Sequence, residues 1–378
     1  MRPVPFNPDR IRGFDSHATW LEHRHEARRA GRYEIGGSVV PMILGMRPFG
    51  KTEFDAWWKL QPDNEEPGRD NDAMARGRRW ENRVIEDYAE ATGFDVVHER
   101  YDALFYDSTP DRLGCPGTIF RRWPTKDPPW DILQVAGDEP WQQATVDGVV
   151  WDGEVWGGLE AKTATNHSHW TRESGVVIAT WTEECEELLP KNYAAQVYWY
   201  LGCTKLPWWD VAVMLPRAGD FPELRHLRVM YDAEHIDTMF QIVGEWRQRH
   251  CIDGVPPDLD HSVSARDFLV ERYEGPKGNY KPMRTAAEDE AAMLTRYREA
   301  KAEAARLDEE IGVLRNQITM RIGDDYGLSF GPGGKHKAIW YRSAGRQSID
   351  IKRLKEEYPD VAADCLRPGT PNRIFRVT

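Results

Sequence analysis

Thr145-Val146-Asp147-Gly148-Val149-Val150 and, one turn later, Gly157-Gly158-Leu159-Glu160-Ala161-Lys162-Thr163 decide how this chain reads. Both segments read as β-strand, and each carries one carboxylate. Asp152-Gly153 between them is a turn dipeptide of hairpin type. If the segments pair as a hairpin or as neighbouring strands, Asp147 and Glu160 meet. Side chains repeat every second position along a strand, so Glu160 and Lys162 share one face. Two carboxylates and an ammonium are costly to bury without a partner. A divalent metal would neutralise the acids, and Lys162 could hold or polarise a water beside it. That is the composition of a nuclease active site. The plainer reading is a solvated hairpin with a surface ion pair.

The rest of the chain weighs on that choice. Its 378 residues suit one large core with appendages, or two to three domains. Hydrophobic content of 40%, with 16 Trp and 14 Tyr, supports a folded core rather than a disordered polymer. A net charge of −12 does not advertise nucleic-acid binding, because phosphate contacts need Lys and Arg. Basic runs exist locally, however: Arg24, Arg28, Arg29 and Arg32 form one, and Arg76, Arg78, Arg79 and Arg83 another. The five cysteines are widely spaced and make no CxxC, which argues against a disulfide scaffold, a zinc ribbon and an iron–sulfur cluster. Met1-Arg2-Pro3-Val4-Pro5 has no apolar signal core. No run of about 18 apolar residues occurs, so no membrane span is expected.

Trp20 to Arg32 reads as a helix with a turn at Gly31. In Ile35-Gly36-Gly37-Ser38-Val39-Val40-Pro41, Ser38 reads as an N-cap, Pro41 falls in the first turn, and Gly45 stops the helix. The bland account is a short buried helix. The functional one is a helix start offering N–H groups to a phosphate. Ala73 to Thr92 is strongly helical, with Glu81 among its apolar positions. Glu81 either pairs with an arginine such as Arg78 or points at the metal site. Residues 101–143 read as a long irregular insertion, rich in proline. His167 and His169 open a loop, where solvated histidines are commoner than ligands. Gln196 lies on or near the apolar face of a helix over Pro190–Gly202. Trp208 to Leu215 reads as a buried strand beside the carboxylate pair.

The last third differs. Glu274 to Pro282 is a Gly/Pro/Lys linker, and Glu288 to Ile322 is one long helix. Tyr297, Ala300, Ala304, Leu307, Ile311, Leu314 and Ile318 give it a heptad seam. Such a seam suits a helical hairpin or a docked helix, and more rarely a self-associating coiled coil. Three short strands, at 328–330, 337–341 and 373–377, with a helix over 351–358, complete a small β/α module.

Five motifs in this order resemble the YqaJ-like viral recombinases, the lambda exonuclease family of PD-(D/E)XK nucleases. They are Ile35-Gly36-Gly37-Ser38 with Ile43-Leu44-Gly45; Arg76 to Glu81; Asp147-Gly148; Glu160-Ala161-Lys162; and Tyr193-Ala194-Ala195-Gln196-Val197-Tyr198-Trp199-Tyr200. Any single one is weak; the ordered set is specific and covers roughly residues 18–250. The resemblance implies an α/β, restriction-endonuclease-like mixed central sheet flanked by helices. The nuclease core would span 1–270, and an α+β extension with the long helix would span 271–378. Asp147 and Glu160, with the Ala161 carbonyl and Glu81, would hold Mg2+ or Mn2+. Lys162 would position or activate water, and Gln196 would face the site. Ser38, Arg24, Arg32 and Arg78 would contact DNA phosphates.

The departures are specific. Thr145-Val146 stands where the family has Ser/Thr-Pro. Leu113-Gly114-Cys115-Pro116-Gly117 resembles that motif but lacks the aspartate. Trp20 and Arg24 match the W-x-x-x-R that precedes the Gly/Ser turn, yet extra residues separate them from Ser38, so Arg28 or Arg32 could replace Arg24. The implied function is a metal-dependent exonuclease on linear double-stranded DNA, digesting 5′→3′ and leaving 3′ overhangs for a single-strand annealing protein. A homo-oligomer, such as a trimer, working in the host-cell cytoplasm is implied with it. Two other readings stay open. One is an endonuclease or single-strand-specific nuclease with the same site. The other is a catalytically silent DNA-binding recombination scaffold.

Overall fold

The computed structural model describes residues 6–62, 64, 72–98, 131–216, 222–273, 284–334, 336–342, 350–365 and 377. These fall into two compact units, Met1–Arg272 and Tyr273–Thr378.

In the first unit the strands are β1 (Ile11–Phe14), β2 (Ile35–Gly36), β3 (Asp95–Val97), β4 (Ile132–Ala136), β5 (Gln142–Val146), β6 (Gly148–Trp151), β7 (Trp156–Thr163), β8 (Val176–Ile178), β9 (Trp208–Leu215) and β10 (Glu223–Met230). The helices are α1 (His17–Arg29), α2 (Val40–Ile43), α3 (Glu53–Leu60), α4 (Asp72–Thr92), α5 (Lys191–Thr204), α6 (Ala233–Arg247) and α7 (Val263–Arg272). Local chemistry sets several boundaries. The Ser16 hydroxyl caps α1 by accepting from Thr19 N at 3.3 Å. Thr52 and Asp55 form a reciprocal capping box at the start of α3. Gly93, at φ +72°, stops α4. Asp152 Oδ1 accepts from the backbone of Glu154 at 3.0 Å and Val155 at 2.9 Å, closing the β6–β7 hairpin as an Asx turn.

The expected mixed sheet flanked by helices is present. Six strands run in the order β3-β6-β7-β9-β10-β8. β6 and β7 are antiparallel, β7 and β9 parallel, β9 and β10 antiparallel, and β10 and β8 parallel. A second sheet has the order β1-β4-β5-β2. Here the structure corrects two expectations. Thr145 to Val150 is not one strand: it breaks at Asp147, with β5 joining the four-stranded sheet and β6 the six-stranded one. Local alternation cannot disclose this, because both halves are equally strand-like and only their neighbours differ. Nor is all of 101–143 irregular, since Ile132–Ala136 forms β4 and pairs with both β1 and β5. The remainder of that stretch, 101–130, lies outside the described residues.

Helix α4 covers one face of the large sheet. Val84, Ile85 and Tyr88 pack there with Val150, Leu159, Trp208, Ala212 and Met214. Trp80, also on this helix, is 39% exposed. A buried ion pair reinforces the same face. Arg228 donates to both oxygens of Asp210, at 2.8 and 3.0 Å, and the Tyr88 hydroxyl also donates to Asp210. α5 covers the other face and also packs on β4 and β5 of the second sheet. It is buried continuously from Ala194 to Thr204, as a helix wedged between two layers must be. Burying each of Val197, Tyr198, Trp199 and Leu201 contributes on the order of 1.5–3 kcal/mol. The Gly157-Gly158 pair is a packing requirement, because a Cβ there would fall 2.3 Å and 2.2 Å from the rings of Trp208 and Trp209.

In the second unit the 35-residue α8 (Glu288–Ile322) is as expected, and its seam residues Leu307, Ile311 and Leu314 are exposed. β11 (Gly327–Phe330) pairs antiparallel with β12 (His336–Ile339), and α9 (Ile351–Glu357) and α10 (Pro359–Asp364) follow. The strand expected over 373–377 lies outside the described residues except for residue 377, as does the linker over 274–282. No described helix is long and apolar enough to cross a membrane.

Candidate metal and phosphate site

The hairpin register sets Gly148 opposite Leu159, which brings Asp147 level with Glu160 at the end of β6. Asp147 Oδ2 accepts from Ala161 N at 2.9 Å. Glu160 and Lys162 share the α5 face of β7, while Leu159 and Ala161 turn to α4. Glu160 is 1% exposed. Its Oε1 accepts from the Lys162 ammonium and from Gln196 Nε2, the latter at 2.6 Å. Gln196 Nε2 also reaches the Tyr200 hydroxyl at 2.9 Å. Lys162 lies 5.2 Å from the centre of the Tyr193 ring.

The electrostatics leave this centre short of positive charge. Burial, then the charge of Asp147, pushes the Glu160 carboxyl up to about 8. Burial also raises Asp147, against the pull of Lys162 and the Ala161 N–H. Burial draws the Lys162 ammonium down, but Glu160 and Asp147 outweigh it and hold it above an ordinary lysine. Glu160 Oε2 is buried and accepts no hydrogen bond. A buried carboxylate oxygen without a donor, beside a second carboxylate, is a ligand set that fits a hard divalent cation. Glu160 and Asp147 are the side chains that could hold one.

Glu81 is not gathered with them. α4 packs on the opposite face of the sheet, and Glu81 lies one turn before the buried Val84 and Ile85. Among the described residues no group of three His, Cys, Asp or Glu side chains could hold a metal as placed. His167 and His169 are also apart from the pair. They bond the carbonyls of Pro216 at 2.6 Å and Glu186 at 3.2 Å.

A second cluster is basic. Arg24 and Arg28 on α1 meet Lys59 on α3. Burial, then the charges of Arg24, Arg28 and Lys51, pushes Lys59 down to about 7. Burial and Arg28 lower Arg24 to about 10, against Glu34 and Tyr200. Arg24 stacks over Trp20 at 4.8 Å, and Arg28 donates to the Asn64 carbonyl at 3.1 Å. Arg32 is engaged elsewhere, in a pair with Glu34 at 3.2 Å. The side chain of Arg78 lies outside the described residues. Three cations held close together, with Glu34 acting on Arg24, give a local positive field that suits an anion.

The Gly37-Ser38 turn joins the two clusters. A Cβ on Gly37 would fall 2.5 Å from the Tyr200 ring and 3.1 Å from Gln196 Cγ, so the turn lies directly on the residues that brace Glu160. Ser38 itself is exposed and is not the N-cap. That position is Val39, in helical conformation, and α2 has only four residues. The helix begins at Val40, one residue later than a Ser38 cap would require.

Sequence reading missed Lys59 and Tyr200. Lys59 stands between Trp58 and Leu60 on an amphipathic helix, where nothing local announces that α1 brings two arginines to it. Tyr200 reads as one more aromatic residue of a buried helix. An α/β protein with a buried Asp–Glu–Lys centre beside a cationic cluster is the class this fold and site define. Residues 19–119 match the YqaJ-like viral recombinase domain family, the family that the ordered motifs resemble. That match includes Arg24, Ser38, Lys59 and Glu81 and ends before Asp147. The chain is similar in structure to an alkaline exonuclease from Laribacter hongkongensis, with 17% identity, a TM-score of 0.33, and coverage of 60% of this chain and 90% of that one. It is also similar to a phage-related exonuclease from Haemophilus somnus 129PT, with 12% identity, a TM-score of 0.34, and coverage of 64% and 96%. Likenesses this distant assign no residue roles. No curated protein matches the chain.

Proposed function

We propose that this chain is a metal-dependent DNA exonuclease of the phage recombination type, acting on linear duplex ends. The observation that carries the reading is the buried Glu160–Asp147 pair, with one Glu160 oxygen braced by Lys162 and Gln196 and the other without a donor. Mg2+ or Mn2+ bound there would supply charge neutralisation on the phosphate and an acidified water. The chain's own groups do the rest. Gln196 and Lys162 hold Glu160 Oε1, so its second oxygen keeps one direction. The Lys162 ammonium lies beside the scissile position and orients the attacking water. Arg24, Arg28 and Lys59 take the terminal phosphate, with Ser38 at the adjoining turn. Glu81, arriving from α4, would complete the metal shell.

A phosphate-holding cluster beside the cutting centre favours chain ends over internal sites, and a 5′-phosphate in it favours 5′→3′ digestion. The overhang, an annealing protein as consumer of it, a homo-oligomer such as a trimer, and a cytoplasmic setting follow from the family resemblance. Residues 1–270 are the nuclease core in this reading, and 271–378 an extension. The test is digestion of linear duplex bearing 5′-phosphate or 5′-hydroxyl ends, with Mg2+ or EDTA, beside covalently closed circles. Mg2+-dependent loss of linear duplex, faster with 5′-phosphate and sparing circles, is expected. Asp147→Ala and Lys162→Ala should abolish it while remaining folded. Undiminished digestion by Glu160→Ala would overturn the site, cutting of circles would make the protein an endonuclease, and no cleavage of any DNA would make it a scaffold.

A further inference from the structure

Helix α8 has 35 residues, and most of its length lies open to water. Every residue from Ala291 to Ile311 is exposed, so no face of that stretch is covered. Helices in folded chains owe most of their stability to burying one face. This helix has such a face. Met293, Tyr297, Leu307, Ile311, Leu314 and Ile318 lie along one seam, each between 42% and 72% exposed. Steps of three and four run unbroken from Met293 to Ile318, with Ala300 and Ala304 among the large residues. Both ends of the seam are charged: Glu290 stands one step before Met293, and Arg321 one step after Ile318.

We infer that α8 pairs antiparallel with α8 of a second copy of this chain, in the alignment that sets Ala304 beside Leu307 of the other copy. Pairing through α8 is independent of the nuclease reading. Small residues then oppose large ones, with Ala300 against Ile311 as well. The charged ends cross, so Glu290, which Arg284 also holds, meets Arg321. Beside the seam, Lys301 of each copy meets Asp308 of the other. Neither has an opposite charge three or four places away on its own helix. Glu303 near Glu310 is the one like-charge pair among the nearest flanking positions. Parallel pairing in register would instead stack Glu290 on Glu290 and Arg321 on Arg321. It would also oppose Arg296 to Lys301 and Glu303 to Asp308, with only Glu310 and Arg315 matched. A seam about 50 Å long and a helix about 10 Å wide give the pair roughly 1,000 Å2 of interface, the size at which a specific contact holds. Two identical antiparallel helices share a two-fold axis, so the contact closes at two copies.

The test is mass photometry and sedimentation of the full chain across concentrations. The number of chains per wild-type assembly should be even, and Leu314→Asp should halve it without altering near-UV circular dichroism. Asp308→Lys should raise the dissociation constant about ten-fold, because two opposite-charge pairs become like-charge ones. Lys301→Asp combined with Asp308→Lys should restore it. Equal chain numbers for wild type and Leu314→Asp overturn the inference. A lower melting temperature in that variant would then seat α8 on its own chain, and an unchanged one would leave the seam to a different protein. Tighter association of Asp308→Lys than of wild type would make the pair parallel and overturn the alignment.

Discussion

The Gln196 amide donates to Glu160 Oε1 at 2.6 Å. With the Lys162 ammonium on the same oxygen, it determines which Glu160 oxygen has no donor. Gln196 is thus a positioning residue in the proposed site. Groups that orient metal ligands typically contribute 10- to 100-fold to affinity or activity. Gln196→Leu should lower kcat by about that factor and raise the Mg2+ concentration needed for half-maximal rate. Steady-state kinetics across a Mg2+ titration checks this, and unchanged Mg2+ dependence would contradict it.

The Glu160 carboxyl, at about 8, lies far above its unfolded value. Between the ordinary glutamate range and about 8, the folded protein holds a proton that the unfolded chain has released. Metal-free stability from this group therefore falls as pH rises through that window. A divalent cation competes with the same proton. Mg2+ should raise the melting temperature little at pH 6 and clearly at pH 8.5, and activity should climb to a plateau above pH 8. In Glu160→Gln the Mg2+-induced shift should vanish at both values, as thermal melts with Mg2+ or EDTA would reveal.

Lys59 titrates in the opposite sense. Its folded value, about 7, lies below that of a free lysine. Above pH 7 the unfolded chain binds the extra proton, so stability from this group rises with pH up to the free-lysine range. Lys59→Met should stabilise the protein, more at pH 6 than at pH 9. It should also narrow the preference for 5′-phosphate over 5′-hydroxyl ends. A variant that is more stable yet equally selective would remove Lys59 from the phosphate site.

A methyl group on Gly37 would meet the Tyr200 ring at 2.5 Å and Gln196 Cγ at 3.1 Å. Gly37→Ala should cost about 1–3 kcal/mol, as overpacking does, while shifting the brace on Glu160. Its activity should fall further than its stability explains, by ten-fold or more in kcat at 25 °C. Comparing kcat with chemical denaturation separates the two effects.

The Asp210–Arg228 pair, on the α4 face, provides the control. Asp210 is 1% exposed and takes both Arg228 bonds together with the Tyr88 hydroxyl. Asp210→Ala leaves Arg228 only its longer contact with Asp152, at 3.4 Å, and the Tyr88 hydroxyl without its acceptor, and should cost about 3 kcal/mol. Below its melting temperature it should retain the Mg2+ dependence of the wild type, because the pair lies across the sheet from Glu160.

Periodicity made α4, α5 and α8 legible, because each buries or aligns one face at a helical repeat. The β6–β7 hairpin was legible from its turn, where Asp152 and Gly153 have the side chain and the backbone freedom the bend requires. β4 was obscured by the prolines and by the Gly137-Asp138 bend around it. The break at Asp147 was obscured because a strand's partner is not written in the strand.

By itself, the sequence determined that Glu160 and Lys162 would share one face of a strand and that a hairpin turn follows Asp147, since alternation and a turn are properties of adjacent residues. Only the tertiary structure decided which face of the sheet Glu160 occupies, opposite the one that Leu159 gives to α4. Only it, too, drew Arg24, Arg28 and Lys59 from two helices into one cluster and laid Gly37 on Gln196 and Tyr200. The reason is physical: a local pattern specifies which side of an element is apolar, whereas charges on different elements meet only after the core has chosen how those sides pack.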